Sequence, residues 1–243
     1  MNKLLSSINK AIAIFFIGIS TMSAAHANVV LSGTRVIYPE TEKEVTLKVN
    51  NKGKTPVLIQ SWIDTGNENA SPDSISSPFL LTPPMNRIDP EKGQTLRISY
   101  TDVNSLPKDR ESLFWLNVLE IPPKVNDSAT PNHLQVAFRS RIKIFFRPTG
   151  INGDAFHAAE SVQWTLQNNA MVAKNDTPYY VNLLGIHTTE NSHKIVAEGT
   201  MISPFSSITV KINPTISPRP GDKLSYDFIN DWGAVKTTEF ILR

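Results

Sequence analysis

The chain has 243 residues, with 24 Lys and Arg against 22 Asp and Glu, 17 Pro, 11 Gly and no Cys. That length suits one large or two ordinary domains, and the near-balanced charge gives no long-range pull on nucleic acid or anionic lipid. Without Cys there can be no disulfide, thiol catalysis or thiolate metal site, so the fold must be held by its cores alone.

Residues 1–27 read as a removable export leader. Lys3 and Lys10 flank the start of an apolar run, Ala11 to Ile19, too short to span a bilayer, and Ala25-His26-Ala27 fits a cleavage site of small residues. Cleavage after Ala27 leaves Asn28 first and removes two cations and no acid, so 22 charges of each sign remain. No later run approaches a membrane span, which predicts an exported protein with no stable membrane insertion.

From Asn28 onward, apolar runs alternate with clusters of Pro, Gly, Asn and Asp, the pattern of short strands and turns. Val29 to Tyr38 reads as a first strand carrying Arg35. Val45, Leu47 and Val49 alternate, and Asn50 to Pro56 reads as a turn. Val57 to Ile63 predicts a strand buried on both faces, Trp62 included. Asn67 to Pro78 is a polar loop, and Phe79 to Leu81 runs into Pro83-Pro84, where no central strand can continue. Leu96, Ile98 and Tyr100 alternate again, Leu113 to Ile121 is a strongly apolar strand, and Pro122 to Asn132 is a polar loop.

His133 to Pro148, HLQVAFRSRIKIFFRP, is the stretch on which the rest of the chain turns. It is rich in β-branched and aromatic residues. Leu134, Val136 and Phe138 give its first half one apolar face, and Arg139, Arg141, Lys143 and Arg147 follow. Such a strand is either a sheet edge guarded by charge or a docking site.

The second half continues in the same style. Val162, Trp164 and Leu166 alternate, as do Ile208, Val210 and Ile212, and Tyr179 to Leu184, Leu224 to Ile229 and Val235 to Leu242 are further strand candidates. No amphipathic helix of ten residues is visible. The pattern predicts an all-β protein of two immunoglobulin-like β-sandwich domains, 28–148 and 149–243, divided in the Pro, Gly and Asn cluster after Pro148.

The residues offer little catalytic chemistry. Of the five histidines His26 leaves with the leader and the other four stand in or beside predicted loops at no ligand spacing, and no nucleophile elbow, phosphate loop or His-Glu-x-x-His is present. No catalytic residue, cofactor or metal is therefore expected. Arg35 and Lys143 remain as cations in apolar surroundings. Each can snorkel to water, or the two can converge on a cleft that needs an anion from a partner.

Specific segments now resemble a known family, the periplasmic chaperones of the chaperone–usher pathway that assembles adhesive pili. They are Thr82-Pro83-Pro84 with Arg87 and Pro90, Leu106-Pro107, and Asp109 through Asn117. Glu120 to Pro123, Arg141 through Pro148 and Ile229-Asn230-Asp231-Trp232-Gly233 complete the set. The resemblance covers essentially the whole chain after the leader. It implies two Ig-like domains in an L or boomerang, a standard example of that sandwich, and a strand lent to the partner.

By the same resemblance, Arg35 and Lys143 grip the C-terminal carboxylate of a pilus subunit, and Leu134, Val136 and Phe138 fill the groove left by its missing strand. Lys143 has opposite parity to those three, which a bulge or strong twist near Arg139 to Arg141 would reconcile. Glu111, Arg147 and Asp231 are implied to form an interdomain salt bridge, and Pro56, Pro83 and Pro84 a proline patch. The implied partners are one pilus subunit per chaperone and an outer-membrane usher, with a self-capping dimer when free. The short Pro122 to Asn132 loop and the lack of Cys resemble the branch serving rod-forming pili. The competing readings are a pilin or adhesin, which should be one incomplete sandwich with a disulfide, and an enzyme or sugar-binding module, which should show a polar or aromatic constellation.

Overall fold

A computed structural model describes residues 28–101, 106–121, 136–168, 170–189 and 191–243. The leader, the Pro122 to Asn132 loop and Leu134 lie outside them.

The first sandwich is built from β1 (Val29–Leu31), β2 (Arg35–Pro39), β3 (Val45–Asn51), β4 (Val57–Asp64), β5 (Phe79–Thr82), β6 (Met85–Ile88), β7 (Gly93–Tyr100), β8 (Ser112–Ile121) and β9 (Phe138–Arg147). One sheet has the order β1-β3-β7-β5 and the other β2-β9-β8-β4-β6. The expected first strand is therefore two. It crosses from one sheet to the other at Ser32 to Thr34, where a side chain at Gly33 would crowd the Arg35 carbonyl, 3.3 Å away.

Period-two patterning places the core. Val36 and Tyr38, Ile59 and Ile63, Leu96 and Ile98, Phe114 and Leu116, and Ile144 and Phe146 all point between the sheets. Tyr38 is fully enclosed, its hydroxyl donating to the Glu42 and Lys43 carbonyls and accepting from Tyr100 N–H. Trp62, expected inside, stands half-buried on the opposite face, paired in register with Asn117. The run Val57 to Ile63 is hydrophobic on both sides, yet only its odd positions reach the core.

The second sandwich opens with a six-residue helix, α1 (Ala155–Glu160), whose first turn is capped by the Asp154 carboxylate accepting from Phe156 and His157 N–H. The strands are β10 (Gln163–Gln167), β11 (Ala170–Asn175), β12 (Val181–Thr188), β13 (Asn191–Glu198), β14 (Met201–Ile202), β15 (Ser206–Val210), β16 (Lys223–Ile229) and β17 (Val235–Ile241). They form sheets ordered β10-β11-β15 and β13-β12-β16-β17, with β14 beside β12. Trp164, Tyr226 and Phe240 stack at the centre, and Tyr226 ties α1 to the sheet by donating to the Ala159 carbonyl.

Each sandwich stabilises the turn before a central strand with a buried amide. Asn51 donates to the Thr55 and Ile88 carbonyls in the first, and Asn175 to those of Tyr179 and Ser203 in the second. These amides satisfy buried carbonyls that the turns would otherwise leave unpaired.

Candidate functional site

β9 is the strand around which the site is built. On one side it pairs antiparallel with β8, Phe138 opposite Glu120 through to Phe146 opposite Ser112, with no shift in register. On the other side it pairs parallel with β2, but only from Lys143, opposite Arg35, to Arg147, opposite Pro39. Among the described residues, positions 138–142 therefore have a strand on one side only. The unbroken register also rules out a bulge at Arg139 to Arg141, one of the two devices expected there. Phe138 shares the parity of Ile142, Ile144 and Phe146, while Lys143 faces the other way.

Phe138 keeps the core-facing parity past the end of the core and is 60 % exposed, and Val136, two residues before β9, is 50 % exposed. Other large apolar side chains of this chain are as exposed, Leu80 and Trp232 among them, but these two stand beside an open strand edge, where another strand could pair.

Arg35 and Lys143 meet where β2 begins. Both lie on the outward face of the sheet, turned toward the second domain. Arg35 Nη1 donates to the Ile229 carbonyl at 3.1 Å, and Lys143 Nζ to Asn182 Oδ1 at 2.8 Å. Arg35 Nε is buried with no hydrogen-bond partner, beside an interdomain pocket of about 10 Å³. Burial lowers the pKa of Arg35, with Asp231 pulling the other way. Burial and then the charge of Arg35 lower that of Lys143. Both cations thus sit on neutral acceptors.

Arg147 is treated differently. Its Nε donates to Glu111 Oε1 at 2.8 Å, and Nη1 and Nη2 reach Asp231 at 2.8 and 3.2 Å. Burial works against the Arg147 charge, but the Asp231 hydrogen bonds and Glu111 outweigh it and hold the pKa above its ordinary value. Glu111 is itself buried and accepts from Tyr180 N–H with its second oxygen at 2.8 Å. Phe145 against Tyr180, centroids 5.6 Å apart, adds apolar contact across the same seam. The three charges join the strand end of one domain to a turn of the other.

The three prolines are not brought together. Pro84 stands beside Ser61 in the middle of β4, whose N–H donates to its carbonyl, whereas Pro56 precedes the first residue of β4. Five strand rises separate Pro56 from Ser61, about 16 Å.

Sequence reasoning missed a second network on this face. Asp64, its side chain 2 % exposed, accepts from Arg141 Nε and Nη2 at 3.0 and 2.6 Å, from Asn117 at 2.7 Å and from Gly66 N–H at 2.7 Å. The Arg141 guanidinium lies 4.6 Å from the Trp115 ring centroid. Burial alone would raise the Asp64 pKa, but Arg141, Asn117 and Gly66 together hold it below the ordinary 3.8. The stability linked to a depressed carboxyl is complete above its unfolded value and is lost as pH falls through the folded one. Asp64→Asn should therefore destabilise the protein by about 2–4 kcal/mol at pH 7. In urea unfolding that difference should shrink steadily below about pH 4, and a difference independent of pH would contradict this assignment.

Residues 28–152 match the family model described as pili and flagellar-assembly chaperone, PapD N-terminal domain, and residues 157–240 match that of the pili assembly chaperone PapD, C-terminal domain. The chain belongs to the PapD-like pilus assembly chaperones. This chaperone is 42% identical over 217 residues to the probable fimbrial chaperone YadV of Escherichia coli K12, covering 87% of this chain and 88% of that one. It is 43% identical over 220 residues to the chaperone protein FimB/FhaD of Bordetella pertussis, covering 89% and 88%. Among solved structures, a chain from the Salmonella enterica SafA pilin in complex with the SafB chaperone superposes with a TM-score of 0.76 at 27% identity, covering 90% of this chaperone and 99% of that chain.

Proposed function

We propose that this chaperone, exported to the periplasm by removal of residues 1–27, captures one pilus subunit by lending it the edge of β9 and anchoring its C-terminal carboxylate on Arg35 and Lys143. It then delivers the subunit to an outer-membrane usher. The first domain, 28–148, carries the lent strand and both cations, and the second, 149–243, closes the cleft. The observation that carries the reading is where β2 begins. An incoming strand on the open edge of β9 lies in line with β2, and its end abuts Arg35 and Lys143.

Charge then sets direction. Running parallel to β9, the strand presents its carboxylate to the two cations; antiparallel, it would present its ammonium to them. The seven steps from Lys143 back to Val136 span about 23 Å when extended. Over that length main-chain bonds satisfy the subunit's open edge, while Val136 and Phe138, continued by Leu134, enter its core. The anchor fixes register, because a one-residue slip would turn the opposite face into the groove.

Glu111, Arg147 and Asp231 set the relation between the domains and so the width of the cleft. No nucleotide motif is present in the sequence, so release is driven by exchange of the lent strand for a better-fitting one from the next subunit. The same apolar edge would let two free chaperones pair with each other.

Hydrogen exchange tests the lent strand directly. In the free chaperone, amides of residues 138–142 that point away from β8 should exchange rapidly, and they should become protected in a complex with a pilus subunit. Unchanged exchange at these positions in a stable complex would overturn strand donation.

A further inference from the structure

Resting on that reading of the anchor, we infer that Asn182 is its third member: a positioning residue that holds Lys143 with a neutral oxygen and so leaves its charge open to the subunit. Asn182 belongs to β12, in the second domain, and is buried. Its backbone is fixed by pairing with Met201 of β14. Its Oδ1 takes one of the three N–H donors of Lys143 at 2.8 Å, which leaves two for a carboxylate. Lysine carries its ammonium on a flexible four-carbon stem. Holding that stem in the free protein removes part of the ordering cost when the ligand arrives.

The neutrality of the acceptor is the functional point. The cleft contains three cations from the first domain and treats them in two ways. Arg147, which joins the domains, is matched by two carboxylates, Glu111 and Asp231. Arg35 and Lys143 are held by the Ile229 carbonyl and the Asn182 amide, both uncharged. An aspartate at position 182, nearly the same size, would stand as an internal anion where the subunit's carboxylate must act. The second domain therefore gives neither anchor cation a charged hydrogen-bond partner, and only Arg35 feels a nearby carboxylate, Asp231.

The test uses two forms of one synthetic peptide copying the C-terminal strand of the pilus subunit that the full-length chaperone retains on co-expression: free acid and C-terminal amide. Wild-type protein should prefer the acid by about ten- to a hundredfold. In Asn182→Asp that preference should collapse toward one. In Asn182→Ala, which adds no charge, the acid should weaken several-fold while the amide is unchanged. This second variant also decides the matter if Asn182→Asp does not fold.

A wild type that binds both forms equally would overturn the carboxylate anchor itself. A wild type that prefers the acid, with Asn182→Asp keeping the full preference, would leave the anchor standing and overturn the role of Asn182. Equal weakening of acid and amide in Asn182→Ala would also overturn it, because that is the signature of a merely structural residue.

Discussion

Replacing Arg35 or Lys143 with Ala should abolish retention of pilus subunits and leave the chaperone folded. Each side chain would contribute charge-assisted hydrogen bonds to the subunit carboxylate, worth about 1.5–3 kcal/mol apiece. Losing one weakens capture by about ten- to a hundredfold, and losing register with it lets the lent strand slip. The free protein should tolerate the change. Each cation makes one hydrogen bond to a neutral acceptor, Ile229 O or Asn182 Oδ1, and both remain half-buried at the cleft rather than within a core. Thermal unfolding of each variant should match wild type within a few degrees, while subunit yield in pull-down falls to background. Wild-type retention would remove the anchor from the account.

Replacing Val136 with Asp should also block capture, through a different term. In the proposed complex Val136 moves from 50 % exposure into the subunit's core. The substitution loses about 1.5–3 kcal/mol of apolar burial. It also asks an unpaired carboxylate to leave water, which costs several kcal/mol more. Together these weaken binding by more than about a thousandfold. Val136 lies outside the core clusters of the described residues and is half exposed, so unfolding should change little. A titration in which the variant binds a subunit as tightly as wild type would show that the exposed edge is guarded rather than lent.

The two variants separate affinity from register. Val136→Asp removes the lent strand's contribution and should lose the free-acid and amide peptides alike. Lys143→Ala removes the carboxylate interaction and should lose chiefly the preference between them.

The all-β character and the pairing of Arg35 with Lys143 on one cleft were legible because their signals are local or belong to motifs. Alternation marks β3, β7 and β10, and turn residues mark the gaps. β11 and β13 were not visible. Met171 and Ala173 alternate with too little contrast in β11, and β13 begins with the polar Asn191 and Ser192. β6 was hidden behind Pro83-Pro84, which read as a stop but instead leads the chain across to the other sheet, where Met85 pairs with Gln60.

The parity of Lys143 against Phe138 looked like a conflict needing a bulge or a strong twist. It is none, because the two side chains serve opposite faces: Phe138 the open edge of the core, Lys143 the interdomain cleft. Asp64 and Asn182 escaped notice for one reason. Their partners, Arg141 and Lys143, are 77 and 39 residues away, and only the sheet register and domain packing bring them within 3 Å.

The account rests most directly on one co-purification. The full chaperone and a pilus subunit are expressed together in a periplasm, and the complexes are weighed by native mass spectrometry for wild type, Arg35→Ala and Lys143→Ala. Wild type should give a one-to-one complex, and both variants free chaperone with degraded subunit. Complexes of equal yield in all three, or a subunit that accumulates intact without the chaperone, would contradict it.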